Sequence, residues 1–348
     1  MATATETFDS CFRILGDARG PRMRAPFARA FDAYRRCDSA VEIDRQAYLS
    51  AFTFGRQFDE LLRTTGSVAG YDGPTGGPHV WWDFDADELA AAKDGAQWIV
   101  YSLVEKFGVP ADAVLVLFSG AKGFHVGLPS WLTGSTPGDL FHETTKRFCV
   151  GLAEYASATT TLDAGIYDRV RPFRAPNSRH GKTGRFKRHL PTDRFEELEV
   201  PEILELAREP QPFDVMPAGP VNDRLAELWA DAARQAAAAV DERAAKRAAI
   251  ASGEEPPRLN RAVREFIGGH DLPAKGSRHR MLYSHARNLA DCGAPLHLIH
   301  ELLVEPARDT GLPPKEVTRQ IDSGFDDSIL AGRDVDPGIG NDGPEVAT

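Results

Sequence analysis

The sequence predicts a mixed α/β (α+β) domain over residues 1–215 followed by a small all-α region, and three observations lead there. Short runs rich in Val, Trp, Leu and Phe alternate with stretches of helical periodicity up to about residue 215. Residues 221–252 are Ala-rich and charged, without a run of β-branched residues, and read as a helical spacer. The length of 348 residues, with 42% hydrophobic and 26% charged, suits one large or two modest globular domains.

Taken in order, residues 24–36 and 44–63 carry apolar residues at spacings of three and four, so the chain before residue 66 is expected to be mostly helical. Residues 66–78 hold five glycines and two prolines and form a loop. A Val- and Trp-rich strand at 79–85 follows. Asp87 then starts a helix that runs through Trp98, Ile99, Leu103 and Val104 and stops at Gly108. Residues 113–118 and 124–128 are strands, joined by the turn Ser119-Gly120-Ala121-Lys122-Gly123. Residues 139–155 are a further helix, and 201–220 are punctuated by proline. Residues 254–257 break the spacer, 259–330 are again helical, and the last eighteen residues, rich in Gly, Asp and Pro, are expected to be disordered. The resulting division is a core at 1–215, a helical linker at 216–257, a helical domain at 258–330 and a tail at 331–348.

Several classes of function are excluded at this level. No apolar run approaches the ~18 residues that span a membrane, so no membrane partner is expected. Residues 1–10 have neither a basic nor an apolar leader segment, and an intracellular, cytoplasmic location is expected. Cys11, Cys37, Cys149 and Cys292 are far apart with no C-x-x-C pair, which argues for a reducing compartment and against a cysteine zinc site.

The net charge of −10 argues against a nucleic-acid partner until its distribution is read. Residues 169–188 hold eight Lys or Arg and no acid, which leaves 33 basic against 51 acidic residues elsewhere, a net −18. A basic strip on an acidic body is expected to be a local site for phosphates, the alternative being a solvated basic loop.

Three motifs accompany it. In Val80-Trp81-Trp82-Asp83-Phe84-Asp85, strand alternation sends Asp83 and Asp85 from one face, roughly 6–7 Å apart at the backbone. Two carboxylates so close call for a hard divalent cation, although two acids also serve to end a strand and cap the helix near Asp87. In Ser119 to His125, Gly120 and Gly123 allow a turn with exposed N–H groups, and Ser119, Lys122 and His125 add donors for a polyphosphate. The same pattern also fits an ordinary hairpin turn with a surface lysine. The third motif is Asp163, then Arg174-Ala175-Pro176-Asn177-Ser178-Arg179-His180. Gly181-Lys182-Thr183 mimics the end of a phosphate-binding loop, but Pro176 stands where that loop needs glycine, so an ATPase is excluded.

The ordered set resembles the catalytic core of the archaeo-eukaryotic-type primase superfamily, which includes primase-polymerases and plasmid or phage replication primases. Asp83 and Asp85 match its apolar-D-x-D motif. Ser119, Lys122, Gly123 and His125 match its S-x-x-K-G-x-H motif, and Asp163 with residues 174–180 its third motif. The resemblance covers about residues 60–195, and it implies a primase catalytic core with an RRM-like subdomain. Residues 276–328 are similar, more weakly, to the helical domain that follows such cores. The cysteines of the family's frequent zinc module are lacking.

The resemblance further implies a DNA primase or primase-polymerase working by two-metal nucleotidyl transfer on a single-stranded DNA template. Asp83, Asp85 and Asp163 would hold Mg²⁺ or Mn²⁺. Ser119, Gly120, Lys122, Gly123, His125, Arg174, Ser178 and His180 would hold the incoming NTP or dNTP. Arg171, Arg179, Lys182, Arg185, Lys187 and Arg188 would follow the template, with Phe186 as a stacking surface. A separate replicative helicase is an expected partner, and the nucleoid an expected location. The alternatives are a repair or end-joining polymerase without de novo priming, a two-metal nuclease, and a non-catalytic DNA-binding replication initiator.

Overall fold

The computed structural model describes residues 7–252, 254, 258–270 and 278–328. The chain divides into two compact units, Met1–Ala239 and Val240–Thr348.

The first unit is built on two antiparallel sheets. One joins β1 (Ser10–Leu15), β2 (Met23–Pro26), β3 (Ala47–Ser50), β4 (Thr53–Phe54), β5 (Thr75–Gly76) and, far along the chain, β9 (Pro172–Arg174). Helices α1 (Phe27–Arg35) and α2 (Arg56–Thr65) accompany it. The other sheet has the order β10-β7-β8-β6, from β6 (His79–Asp85), β7 (Leu115–Phe118), β8 (Gly123–Pro129) and β10 (Arg188–Leu190). Between β6 and β7 runs α3 (Leu89–Tyr101), continued by a π-helical turn at Ser102–Lys106. After β8 comes α4 (Phe141–Tyr155), and after β10 α5 (Val200–Leu206) and the long α6 (Asp223–Ser252).

The alternation of β6 decides what lies on each side of its sheet. Trp82 and Phe84 face the helices: Trp82 Nε1 donates to the Cys149 carbonyl of α4, and the Phe84 ring lies against Gly95 of α3. His79, Trp81 and Asp83 face the other way, where His79 packs on Phe31 of α1 and Trp81 on Phe173 of β9. Gly127, opposite Trp81 in the ladder, is needed there, because a Cβ would lie 2.5 Å from the indole. One face of this sheet is thus a helix-packed core, and the other is shared with the first sheet.

The structure corrects the helical expectation for residues 24–36 and 44–63. Residues 23–26 and 47–54 are strands, and the helices start at Phe27 and Arg56. Two short strands followed by a helix put buried Ala47, Ala51, Phe54, Phe58 and Leu62 at steps of three and four that imitate one long helix. Their pairing partner β1 lies 32 to 44 residues earlier, outside any local window. The stretch 216–257 also differs from a free spacer. The first half of α6 packs on the core through Leu225, Trp229 and Ala232, and the division between units falls inside this helix.

The second unit holds α7 (Arg261–Ile267), α8 (Arg278–Asp291), α9 (Leu296–Asp309) and α10 (Pro314–Asp326) around Phe266, Leu282, Leu289, Ile299, Leu303 and Ile321. Gly324 lets α10 approach α8 closely, since a Cβ there would collide with the Tyr283 carbonyl. Gly276, Ser277 and the tail at 331–348, singled out from the sequence, lie outside the described residues.

Asn177 ties the first unit's late segments to its early ones. Fully buried, with φ of 54°, it donates its side-chain N–H groups to the carbonyls of Tyr34, Arg35 and Gln211, and its Oδ1 accepts from the Gln211 N–H. Asn177→Ala should cost about 3 kcal/mol or more, combining stranded buried polar groups with Ala in the left-handed region. In a unit of this size that lowers Tm by roughly 6–12 °C. Asn177→Gly relieves the backbone strain alone and should recover about 1 kcal/mol at most. Urea midpoints of the three proteins check this, and equal stability of Asn177→Ala and the parent would refute it.

Candidate active site

The third acid reaches the first two through backbone pairing. Leu162 bridges to Phe84, with Asp163 N–H donating to the Asp83 carbonyl at 2.7 Å and Asp85 N–H to the Thr161 carbonyl at 2.8 Å. Antiparallel partners share a face, so Asp163 stands beside Asp83 on the side turned away from the helices. Asp83, Asp85 and Asp163 are therefore brought together, as are Ser119 to His125, because β8 is the other neighbour of β6 with Asp83 opposite His125. Gly123 makes the close pairing with β6 possible, since a Cβ on it would collide with the Phe84 carbonyl and the Asp85 carboxylate.

Each carboxylate has a basic neighbour. Lys122 Nζ lies 3.6 Å from Asp85 Oδ2, Arg171 Nη2 3.8 Å from Asp163 Oδ2, and His125 Nε2 3.3 Å from Asp83 Oδ1. The last contact is not an ion pair. Burial holds the His125 imidazole, stacked 4.2 Å from the Phe173 ring, well below its ordinary pKa and hence neutral. The contact also lacks hydrogen-bond alignment, so Asp83 Oδ1 is buried without a hydrogen bond. Burial, then the charge of Asp163, pushes the Asp83 carboxyl up to about 7, against the opposing pull of Lys187, Arg171 and Lys122. Asp85 is raised too, by burial first and by Asp83 second.

Among the described residues, no group of three or more His, Cys, Asp and Glu side chains is already drawn together around a metal-sized space. The donor chemistry nevertheless fits a hard divalent cation such as Mg²⁺ or Mn²⁺. The donors are all carboxylate oxygens on one face of the sheet, and one buried oxygen has no hydrogen bond.

The basic loop meets this face from the side. Gly120, with φ of 86°, lies against it: a Cβ there would sit 3.2 Å from the His180 Cβ and 3.1 Å from the Arg185 carbonyl. Thr183 Oγ1 donates to the Gly120 carbonyl, which fastens the two loops. His180 Nδ1 accepts from the backbone N–H groups of Lys182 and Thr183, which leaves the proton on Nε2 and that nitrogen as a donor. Burial, then Arg174 and Lys182, brings its pKa down to about 4, so the ring is neutral above pH 5 or so. Arg174 stacks its guanidinium 4.9 Å over the Tyr48 ring and donates from Nη2 to the Tyr48 hydroxyl, while its Nη1 is buried without a partner.

Other expected site residues are placed differently. Ser178 is fully buried, and its Oγ donates to the Ala47 and Ala175 carbonyls, so it holds the turn and not a phosphate. Ser119 Oγ accepts from the N–H groups of Ala121 and Gly123, which occupies two of the turn's donors. Lys187 is 1% exposed, so it does not follow a template. It donates to the Arg174 carbonyl, and its ammonium lies 4.1 Å over the Phe173 ring. Arg188 is buried and paired with Gln211, and Phe186 is buried. Arg171 belongs with Asp163. Of the basic strip, Arg179 and Lys182 are exposed and Arg185 half-buried. Sequence reasoning missed Tyr48 and Phe173 as the platforms under Arg174 and His125. It also missed the placing of Lys187, for which strand alternation over 187–190 was the available signal.

No family model matches the chain, and no curated protein matches it. Among solved structures it is similar to the primase RepB', at 12% identity over 93% of this chain and 90% of that one, with a TM-score of 0.34. It is also similar to the polymerase domain of Mycobacterium tuberculosis Ligase D in complex with DNA, at 16% identity over 59% of this chain and 71% of that one, with a TM-score of 0.32. At these scores neither likeness bears on the function.

Mn²⁺ at about a hundredfold over its dissociation constant should stabilise the protein by about 2.7 kcal/mol. Asp83→Asn and Asp163→Asn, near-isosteric but uncharged, should each remove that gain. Thermal melts with Mn²⁺ and with chelator check this. An undiminished gain in both variants would place the cation elsewhere.

Proposed function

We propose that this protein is a DNA primase or primase-polymerase that joins nucleotides on a single-stranded DNA template. The observation that carries this reading is the convergence of three carboxylates on one sheet face with basic and hydrogen-bond-donating side chains at its margin. Acids alone would suit a nuclease equally, but Lys122, Arg174 and the Nε2 donor of His180 add positive charge and donors beside them. A triphosphate needs such groups and an attacking water does not.

In this reading Asp83, Asp85 and Asp163 hold Mg²⁺ or Mn²⁺. When bound, the cations supply Lewis acidity that lowers the pKa of an attacking hydroxyl and neutralises the triphosphate. The chain's own residues position and compensate. Lys122 turns from Asp85 to the phosphates, and His180 donates a neutral N–H to a phosphate oxygen. Arg174 offers its unpaired Nη1 to phosphate or sugar, with Tyr48 keeping the guanidinium flat. His125 and Lys187 are both held on Phe173, and the Lys187 ammonium compensates part of the Asp83 charge. Arg179, Lys182 and Arg185 remain as template contacts. In this reading a separate replicative helicase opens the duplex for the protein.

Labelled nucleotides incubated with primer-free single-stranded DNA and Mg²⁺ or Mn²⁺ should yield short products. Asp83→Ala or Asp85→Ala should abolish incorporation while the fold, checked by circular dichroism, persists. Near-parental incorporation by either variant would overturn the assignment. Products from a supplied primer only would identify a repair-type polymerase instead.

Lys122→Ala and His180→Ala should each weaken nucleotide binding by about 1.5–3 kcal/mol, through loss of charge-assisted or phosphate-directed hydrogen bonds. Their effect on single-stranded DNA binding should be much smaller. Titrations with labelled nucleotide and labelled DNA separate the two, and equal losses would move this margin from the triphosphate to the template.

A further inference from the structure

The face of α3 turned away from the sheet carries a feature that the catalytic reading does not use. Inward, Ala92, Gly95, Ala96, Ile99 and Leu103 are buried against the sheet. Outward, Trp98 and Tyr101 are 54% and 44% exposed and meet edge to face at 6.0 Å. Large aromatics this exposed, side by side on a helix, leave a substantial apolar area in water. They border a hollow of about 870 Å³ closed on its far side by residues 192–196. Val104 and Phe195 complete its apolar floor, and Asp94, Glu105, Asp193 and Glu196 form its rim. No Lys or Arg lines it. The helix leaves the α form at Ser102–Lys106, which re-aims this surface, and π-helical turns of this kind recur at functional sites.

We propose that this groove docks a partner protein through a helical segment that places an apolar side chain between flanking Lys or Arg residues. The apolar residue would pack against the Trp98 and Tyr101 pair, over Val104 and Phe195, and the cations would meet the four rim carboxylates. Charge complementarity selects this occupant. Nucleic acid is repelled by the rim, whereas a basic amphipathic helix satisfies floor and rim together. The protein shows the same chemistry within itself beside the groove, where Lys106 lays its ammonium 5.2 Å from the centre of the Tyr101 ring. The groove lies on the helix-covered side of β6, opposite the face that carries Asp83, so docking there leaves the carboxylates accessible. The inference does not depend on the reaction assigned to them.

The test uses the full chain with its five tryptophans replaced by 5-fluorotryptophan, the Trp98 resonance being assigned with Trp98→Phe. The probe is a synthetic Ala-based helical peptide with two Leu four residues apart and Arg on either side, compared with the same peptide carrying Glu for Arg. The Arg peptide should shift the Trp98 resonance saturably while the buried tryptophans stay in place. Binding should weaken at least about tenfold in Asp193→Lys/Glu196→Lys, two exposed positions that leave the fold intact. The Glu peptide should not bind. Three results would overturn the proposal. One is equal binding of both peptides, or of the parent and the charge-reversed variant. The second is a Trp98 shift produced by oligothymidylate in place of the peptide. The third is a shift that follows protein dilution, which would make a second copy the occupant.

Discussion

Everything at the acidic face depends on one short piece of pairing, that of residues 161–163 along the edge of β6. Two backbone hydrogen bonds on either side of Phe84 fix Asp163 beside Asp83. Without cations this juxtaposition is unfavourable, since burial and then the charge of Asp163 push the Asp83 carboxyl up. The backbone bonds and the burial of Trp82 and Phe84 beneath them supply the stability that the carboxylates oppose. The sheet therefore holds the acids in place before any ligand arrives. Such preorganisation is what phosphoryl-transfer chemistry draws on, because positioning and charge compensation supply most of its rate.

The same economy governs the polar groups behind the acids. Lys187 is buried with its ammonium over Phe173 and directed to the Arg174 carbonyl, and burial holds its pKa well below the usual lysine range. A buried cation is costly unless a charge lies near it, and Asp83 is that charge. Asn177 plays the corresponding part for the backbone, drawing carbonyls from α1 and from residue 211 onto one side chain. The basic strip is thus two things. Of its buried members, Lys187 lies behind Asp83 and Arg188 pairs with Gln211, while its exposed members, Arg179 and Lys182, face solvent.

How much of this was legible in the sequence follows from how local each feature is. Alternation in 79–85 located β6 to the residue and put Asp83 and Asp85 on one face, since both facts are contained in seven residues. The turn at 119–123 was equally local. The first sheet was not legible, because β1 pairs with β3 and β4 across 32 to 44 residues, and β3 pairs with β9 across more than a hundred. Two short strands before a helix reproduced helical spacing, so periodicity alone misassigned them. Composition identified the strip at 169–188 as basic but could not separate buried from exposed cations, a distinction made by β10 pairing with β7. Ser178 was read as a phosphate ligand from its motif, whereas its hydroxyl serves two carbonyls that no local pattern reveals.

The four-stranded sheet also divides the unit electrostatically. On one side stand the acids with their basic margin, where the exposed Arg and Lys of residues 179–185 offer charge to a polyanion. On the other, α3 presents aromatics within an acidic rim that repels the same polyanion. At physiological ionic strength such fields act over about 8 Å, so surfaces separated by a sheet and a helix layer are felt independently. In the proposed readings, a nucleic-acid strand and a basic protein segment would each be drawn to one face and turned away from the other. The acidic balance of the whole chain, which at first argued against a nucleic-acid partner, then becomes intelligible as the counterpart of a confined basic site. Under the proposed function, negative charge over the rest of the chain would confine phosphate to the face where the carboxylates and donors stand.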